Sequence, residues 1–460
     1  MKQTPNPVAS GQPGTTRRSH TNGRRQRLCL RTLACALAGL MPAIASADSV
    51  TEWNQIADAT TAIPLPMKLR AMAMTHIAIH DALNAIDPRY RSYSIAPTAN
   101  LHASPDAAVA TAARDVLVST VPAQAATVNG LYADFMAALP PCPAAHPRCL
   151  RYGVLAGRGA AHAILAARVG DHADAPQFPY TRAPAPGVHQ PTPTTSWDQL
   201  STPMFESWAG VTPFALRRRD QFRAQPSRLF DLRSPTYTFD YLEVKYLGSA
   251  QARGGAHADS EMSRIARFWY GSGSNWFPTA RAIAARRDLD QWQNARLFAL
   301  LAISQVDVTI SVFDSKYHYD FWRPVTAINW INDGNPYTRP QPGWLPYLIT
   351  PPYPDYPCGV PMLAGAGTEV LRRFFGTDYV PYTVTARFAA QGNIPADEIT
   401  RRYWLLSQAA AEAASARVYA GIHFRTGCRV GVGLGEKVGR FAYRHYLQPL
   451  HGHKGRSPRP

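Results

Sequence analysis

The sequence predicts an all-α fold, a helical bundle or pair of bundles with long Pro-rich loops, and three observations predict it. Apolar residues recur at i, i+3, i+4 and i+7 over residues 67–86, 105–119, 124–138, 153–169, 288–313, 361–375, 397–420 and 431–446. Period-2 alternation is scarce, with Ser234 to Leu242 (SPTYTFDYL) its clearest short run. Proline supplies 40 of 460 residues, nearly twice the usual share of about 5%, so ordered loops are expected between the helices. With 46% hydrophobic and 17% charged residues the chain can bury a large core.

Taken in order, residues 1–47 read as a signal peptide. Arg17, Arg18, Arg24, Arg25 and Arg27 precede an apolar stretch from Leu33 to Ile44, and Ala45-Ser46-Ala47 offers a small-residue cleavage site before Asp48. The expected location is secreted or periplasmic. The Arg24-Arg25 pair and the apolar stretch leave the Sec and twin-arginine routes both open. The stretch is too short to anchor the chain, so no integral membrane span is expected after signal removal. Its removal leaves 41 basic residues against 31 acidic, a net +10 that favours anionic ligands or surfaces. The basic residues are dispersed and no nucleic-acid-binding motif accompanies them, which argues against nucleic acid as a partner.

Residues 48–170 form an N-terminal helical half. In it the short loop PCPAAHPRC carries Cys142 and Cys149, expected to pair as a disulfide in an exported chain. Residues 171–235 are Pro-rich but also carry Phe178, Tyr180, Phe205, Trp208 and Phe214, so this segment should wrap the helical body. Residues 236–450 form a C-terminal half that holds the chemistry, and 451–460 a basic, solvated tail. For Cys358 and Cys428 a second disulfide and two buried thiols both remain open.

Three segments carry the candidate chemistry. In SKYHYDFWRP (315–324), Lys316 and Arg323 are seven apart and would project from one face of a continuing helix, a stripe suited to a shared anion. In ARVYAGIHFRTG (416–427), Gly421 sits between Arg417 and His423 and can turn the backbone so that the two converge. In PPYPDYPCGV (351–360), Gly359 leaves backbone N–H groups open to an oxyanion beside a helix that starts near Pro361. Together they suit phosphate or vanadate, with His423 as a nucleophile or an axial ligand.

The order Lys-x6-Arg-Pro, then a Pro-rich loop with a small residue and Gly, then Arg-x5-His resembles the vanadium-dependent haloperoxidases and the related type 2 phosphatidic acid phosphatases. TEWNQIA, MTHIAIHDALNAI, ARFW, GTEVLRRFFG and GVGLGEKVG extend the likeness to the bacterial haloperoxidase branch. The resemblance implies helical bundles of the vanadium haloperoxidase and acid phosphatase type. It implies vanadate as cofactor, or phosphate as the bound anion, and no haem. Lys316, Arg323, Cys358, Gly359 and Arg417 would hold the oxyanion, and His423 would bind vanadium at the apex or attack phosphorus. Phe313 matches an aromatic of the halide pocket. The implied partners are hydrogen peroxide, a halide and a small organic substrate, or a phosphate ester, and the bundle faces leave room for a homodimer.

Departures from the family shape the expectation. Its loop reads Pro-Ser-Gly-His, whereas this chain has Pro357-Cys358-Gly359-Val360. Cys358 offers a thiol, a weaker donor than a hydroxyl. Val360 stands where the acid-base histidine belongs and cannot move protons, and loss of such a group typically costs about 10²- to 10⁴-fold in rate. Phosphatases of this type carry an aspartate four residues after the axial histidine, where this chain has Gly427. The expectation is halide oxidation by hydrogen peroxide, weakened or altered. The alternatives are an acid phosphatase using His423 as nucleophile and a catalytically inactive oxyanion-binding homologue. Of possible stand-ins for the lost imidazole, His318 should face away from Lys316, and His76 and His80 should be structural.

Overall fold

The computed structural model describes residues 48–94, 100–194, 199–271 and 275–450. The expected signal peptide (1–47) and basic tail (451–460) lie outside the described residues. Fourteen α-helices follow in order among them: α1 (Ser49–Thr60), α2 (Leu65–Asn84), α3 (Pro105–Thr120), α4 (Ala125–Ala138), α5 (Cys149–Ala167), α6 (Pro235–Leu247), α7 (Ala250–Arg253), α8 (Glu261–Tyr270), α9 (Trp276–Ala284), α10 (Gln291–Tyr319), α11 (Pro324–Asn329), α12 (Gly359–Phe375), α13 (Leu406–Tyr419) and α14 (Arg425–His445). The described residues belong to one compact unit.

The pillar of the fold is α10, 29 residues long. Asp290 caps it, accepting from the Gln293 backbone N–H while the Gln293 side chain returns to the cap. Its most apolar stretch, with mean hydropathy 1.6, is long and apolar enough to cross a membrane by composition, yet lies wholly inside the protein. Helices α1 and α2 pack on it from the N-terminal half, and α12 and α14 from the C-terminal half. The Pro-rich segment covers much of the rest. The buried Asp307 carboxylate on α10 accepts from the backbone N–H groups of Phe214, Ala215 and Leu216 at 2.6 to 2.8 Å. Further along, Arg223 pairs with Asp314 and Trp208 Nε1 donates to Thr309 Oγ1. These contacts lay part of the segment along the pillar. Cys142 and Cys149 are joined by a disulfide.

The second construction principle is a glycine stripe. On α14, Gly427, Gly431, Gly435 and Gly439 recur every fourth residue and so share one face. A Cβ at Gly431 would lie 2.5 Å from the Cys358 carbonyl oxygen, one at Gly439 2.6 Å from that of Ala366, and one at Gly435 would overlap the Met362 carbonyl. The bare face lets the backbones of α12 and α14 touch, which brings the start of each helix beside the other. Buried Glu369 of α12 then pairs with Arg372, Arg373 and, across the contact, Arg440. Burial would raise the Glu369 carboxyl, but the three guanidinium groups hold it below its usual value. A folded-state value below the unfolded one means stability that is present above the ordinary glutamate range and lost as pH falls through the folded value. Glu369→Gln should therefore cost about 1–3 kcal/mol at pH 7, and the gap to wild type should narrow in paired urea titrations as pH falls below the ordinary glutamate range.

Two local expectations need correction. The run SPTYTFDYL is the helix α6, not a strand. Ser234 accepts from the Tyr237 N–H as N-cap, Pro235 fills the first turn, and Tyr237, Tyr241 and Val244 bury one helical face. The span 397–420 is not one helix. Its first part is the strand β2 (Asp397–Leu405), paired antiparallel with β1 (Tyr379–Phe388) in a two-stranded hairpin. In β1, YVPYTVTARF buries Val380, Tyr382, Val384, Ala386 and Phe388 in strict alternation, a signal the sequence carries openly.

Candidate oxyanion site

Three chain breaks deliver the site. Helix α10 stops at Tyr319 because Asp320 takes a left-handed conformation (φ 51°), so Arg323 does not share a helix with Lys316 as the spacing suggests. It precedes α11 instead, with Pro324 in the first turn. The two cations still converge, through a turn and not through helical periodicity. Helix α13 ends at Tyr419, and Gly421 (φ 79°) reverses the chain between Arg417 and His423 as anticipated. The Pro-rich loop ends at Cys358, the N-cap of α12, so Gly359 opens the helix. Its N–H belongs to the first turn, whose donors lack intrahelical acceptors.

Lys316, Arg323, Arg417 and His423 are all buried, each 4% exposed or less. Lys316 Nζ donates to the Pro354 and Asp355 carbonyls at 2.7 and 2.9 Å. Arg323 donates from Nε to the Tyr353 carbonyl and from Nη1 to the Ile422 carbonyl, both at 2.7 Å. The same Nη1 stands 2.8 Å from His423 Nε2. The Tyr353 ring lies 5.1 Å from Lys316 Nζ and 5.0 Å from Arg323 Cζ, a π-face shared by two cations. Arg417 Cζ lies 5.5 Å from the Tyr270 ring.

Electrostatics follow from burying these groups together. Burial and then Arg323 push the Lys316 ammonium well below its usual value. Burial also lowers Arg323. Burial, Arg323, Lys316 and Arg417 drive His423 well below the usual imidazole value, so the ring is neutral at pH 7. Beside it sits Asp355, fully buried, with Oδ1 2.8 Å from His423 Nδ1 and 4.0 Å from Arg323 Nη1. Burial pushes Asp355 up to about 7 against the pull of Arg323 and Lys316.

Two donors in this nest, Arg323 Nη2 and Arg417 Nε, are buried with no hydrogen-bond partner among the described residues. Such orphan cationic donors normally cost free energy, and a tetrahedral oxyanion is the ligand that would satisfy them. A methyl group on Gly359 would meet no atom within 4 Å, so space is open over that backbone. The donor set, three cations, a helix start and a neutral imidazole, fits vanadate and phosphate alike.

The remaining candidates fall into place. Cys358 and Cys428 are free, buried thiols, and each perturbs the other through a side-chain hydrogen bond. Burial would raise the Cys358 thiol, but Cys428, Arg417 and Lys316 bring it below its usual value. Val360 is half-buried beside Gly359 and packs on the main core. Phe313 lies 5.3 Å from both the Phe205 and Tyr353 rings, an aromatic cluster that continues from Tyr353 to the cations. His318 is exposed and turned away. His76 is buried 2.7 Å from Asn54 and stacks on Phe277, its pKa lowered to about 3 by burial and Arg281. His80 stands 3.1 Å from Asp81. Neither ring belongs to the site. Tyr353 and Asp355 are the residues that the sequence reading missed, although both lie in PPYPDYPCGV.

Comparison with known proteins agrees with this geometry. Residues 296–452 match the VCPO second helical-bundle domain, a span that contains every one of these cations, Gly359 and His423. The chain is 24% identical over 310 residues to the vanadium chloroperoxidase of Curvularia inaequalis, which covers 55% of this chain and 50% of that protein, so it spans about half the length of that relative. Among solved structures it resembles a bacterial vanadium-dependent iodoperoxidase, at TM-score 0.71 and 24% identity over 88% of this chain and 97% of the other. It also resembles a holo-type bacterial vanadium-dependent chloroperoxidase, at TM-score 0.65 and 18% identity over 84% and 93%. At these identities the structural likeness speaks for the fold alone. The chain therefore shares the fold of the bacterial vanadium-dependent haloperoxidases, and its residues 296–452 match a helical-bundle domain model.

Proposed function

We propose that the protein binds vanadate in this pocket and oxidises a halide with hydrogen peroxide, at a rate limited by the lack of a histidine at position 360. The observation that carries the reading is the pair of orphan donors, Arg323 Nη2 and Arg417 Nε, buried beside a neutral imidazole. Lys316, Arg323, Arg417 and the Gly359 N–H would hold the oxygens, and His423 Nε2 would face the central atom. Bound vanadate supplies Lewis-acid activation of hydrogen peroxide without changing its oxidation state. The chain's own part is to neutralise the anion, exclude water and keep Nε2 unprotonated. Phe313, Phe205 and Tyr353 would give an incoming halide a dry, aromatic approach. With Val360 in place, no imidazole on the first turn of α12 handles the proton.

The test is vanadate titration followed by bromide- or iodide-dependent oxidation of a phenol dye. Binding in the micromolar to millimolar range with slow, peroxide-dependent turnover is expected. Release of phosphate from an aryl phosphate, blocked by vanadate, would move the reading to a phosphatase with His423 as nucleophile. Saturable binding with neither reaction would mark an oxyanion-binding homologue. Because the anion binds only the folded chain, vanadate at a hundred times its Kd should add about 2.7 kcal/mol of stability. Arg417→Ala should lose most of that gain in a thermal melt.

A further inference from the structure

His423 must present a lone pair to the pocket, and its two neighbours decide whether it does. A guanidinium N–H can only donate, so Arg323 Nη1, 2.8 Å from Nε2, requires Nε2 to be the acceptor. The proton of the neutral ring then sits on Nδ1. On that side stands Asp355, its Oδ1 2.8 Å away and 0% exposed, an acceptor for that proton in its ionised form. The backbone N–H of Phe424 favours the charged form of the same carboxyl. His423 Nδ1 and both Asp355 oxygens are buried without a well-directed hydrogen bond among the described residues, so the 2.8 Å contact brings an unpaired donor to an unpaired acceptor.

We propose that Asp355 is the positioning residue of this site, a carboxylate that reaches from the Pro-rich loop to fix the Nδ1–H tautomer and the ring plane of His423. Its placement depends on the glycine at 427. A Cβ there would lie 3.3 Å from Asp355 Oδ2, so the bare backbone at the start of α14 makes room for a carboxylate that arrives from another segment. Lys316 secures the loop from below by binding the carbonyls of Pro354 and Asp355, and the Asp355 N–H donates to the Phe321 carbonyl at 2.8 Å. The loop that carries Asp355 is therefore held by the turn that carries Arg323. One frame positions the cation and the carboxylate on opposite nitrogens of the ring.

The proposal rests on the reading of the pocket as an oxyanion site, and two probes separate their failures. Inorganic phosphate needs the cations and the helix start, whereas vanadate also needs an accessible Nε2 lone pair. For Asp355→Ala, vanadate affinity measured by calorimetry should fall about 10- to 100-fold, while phosphate affinity should change by less than about threefold. Adding Gly427→Asp to Asp355→Ala should recover vanadate affinity to within about threefold of wild type, because the new carboxylate enters the vacated space. Asp355→Asn keeps the shape and offers a weaker acceptor. It should lose roughly 3- to 10-fold for vanadate, and carries the test if the alanine variant does not fold. Equal losses for both anions, no loss for either aspartate variant, or no recovery from Gly427→Asp would overturn the assignment. If the wild-type protein binds neither anion, the pocket reading and this proposal fall together.

Discussion

Val360→His should raise halide-oxidation turnover by about 10²- to 10⁴-fold at unchanged vanadate affinity. Position 360 lies in the first turn of α12, next to the Gly359 N–H, so an imidazole there reaches the oxygens that Gly359 faces. The site is half-buried, its β-branched side chain packed on the core and partly open to solvent. The cations would hold charge and His423 the centre, which leaves no imidazole on the first turn of α12 for the outer oxygen. The measurement is kcat for dye oxidation at saturating vanadate, with a fresh pH profile. A variant that binds vanadate normally and gains nothing would show that another group already performs the transfer, and the account of Val360 would be wrong.

Gly435→Val should cost about 4 kcal/mol or more and leave little soluble protein. A side chain there overlaps the Met362 carbonyl, and backbone cannot yield as a flexible side chain can. Forcing α12 and α14 apart also separates Cys358 from Gly427, which now meet through the Cys358 N–H and the Gly427 carbonyl at 3.1 Å. The pocket should open before the rest of the fold fails. Gly433 on the same helix is the control, since a Cβ there meets nothing within 4 Å. Gly433→Ala should stabilise by about 0.5–1 kcal/mol through helix propensity alone. Urea midpoints of the two variants, taken side by side, check both signs.

The helices were legible wherever one face is buried, because that burial writes a 3.6-residue period into the sequence. α2, α3 and α12 lie close to their expected spans for this reason. The period failed at 234–242, where aromatic and β-branched residues imitate a strand and the decisive signal is the Ser234-Pro235 cap. It failed again at 397–405, where a strand runs directly into a helix with no turn residue between them. In the site, Gly421 could be read as a turn because no other residue type adopts its φ of 79° readily. The left-handed Asp320 could not, so Arg323 was expected on the wrong element although in the right place. Asp355 was hidden for a different reason. Its partner is 68 residues away, and only the fold tells an aspartate in a proline-rich loop that it will be buried against an imidazole.

The two ends of the described chain are tied to the same end of α10. Ser49 Oγ accepts from Gln291 at 2.6 Å, Asp48 from Asn294 at 2.8 Å, and the Leu447 carbonyl from Arg296 at 2.7 Å. Lys316 lies at the opposite end, and a rise of 1.5 Å per residue puts the two poles roughly 35 Å apart. A tag, a tether or a fused carrier joined at residue 48 or 450 would hang from the pole away from the cations, leaving traffic of small solutes to them unobstructed.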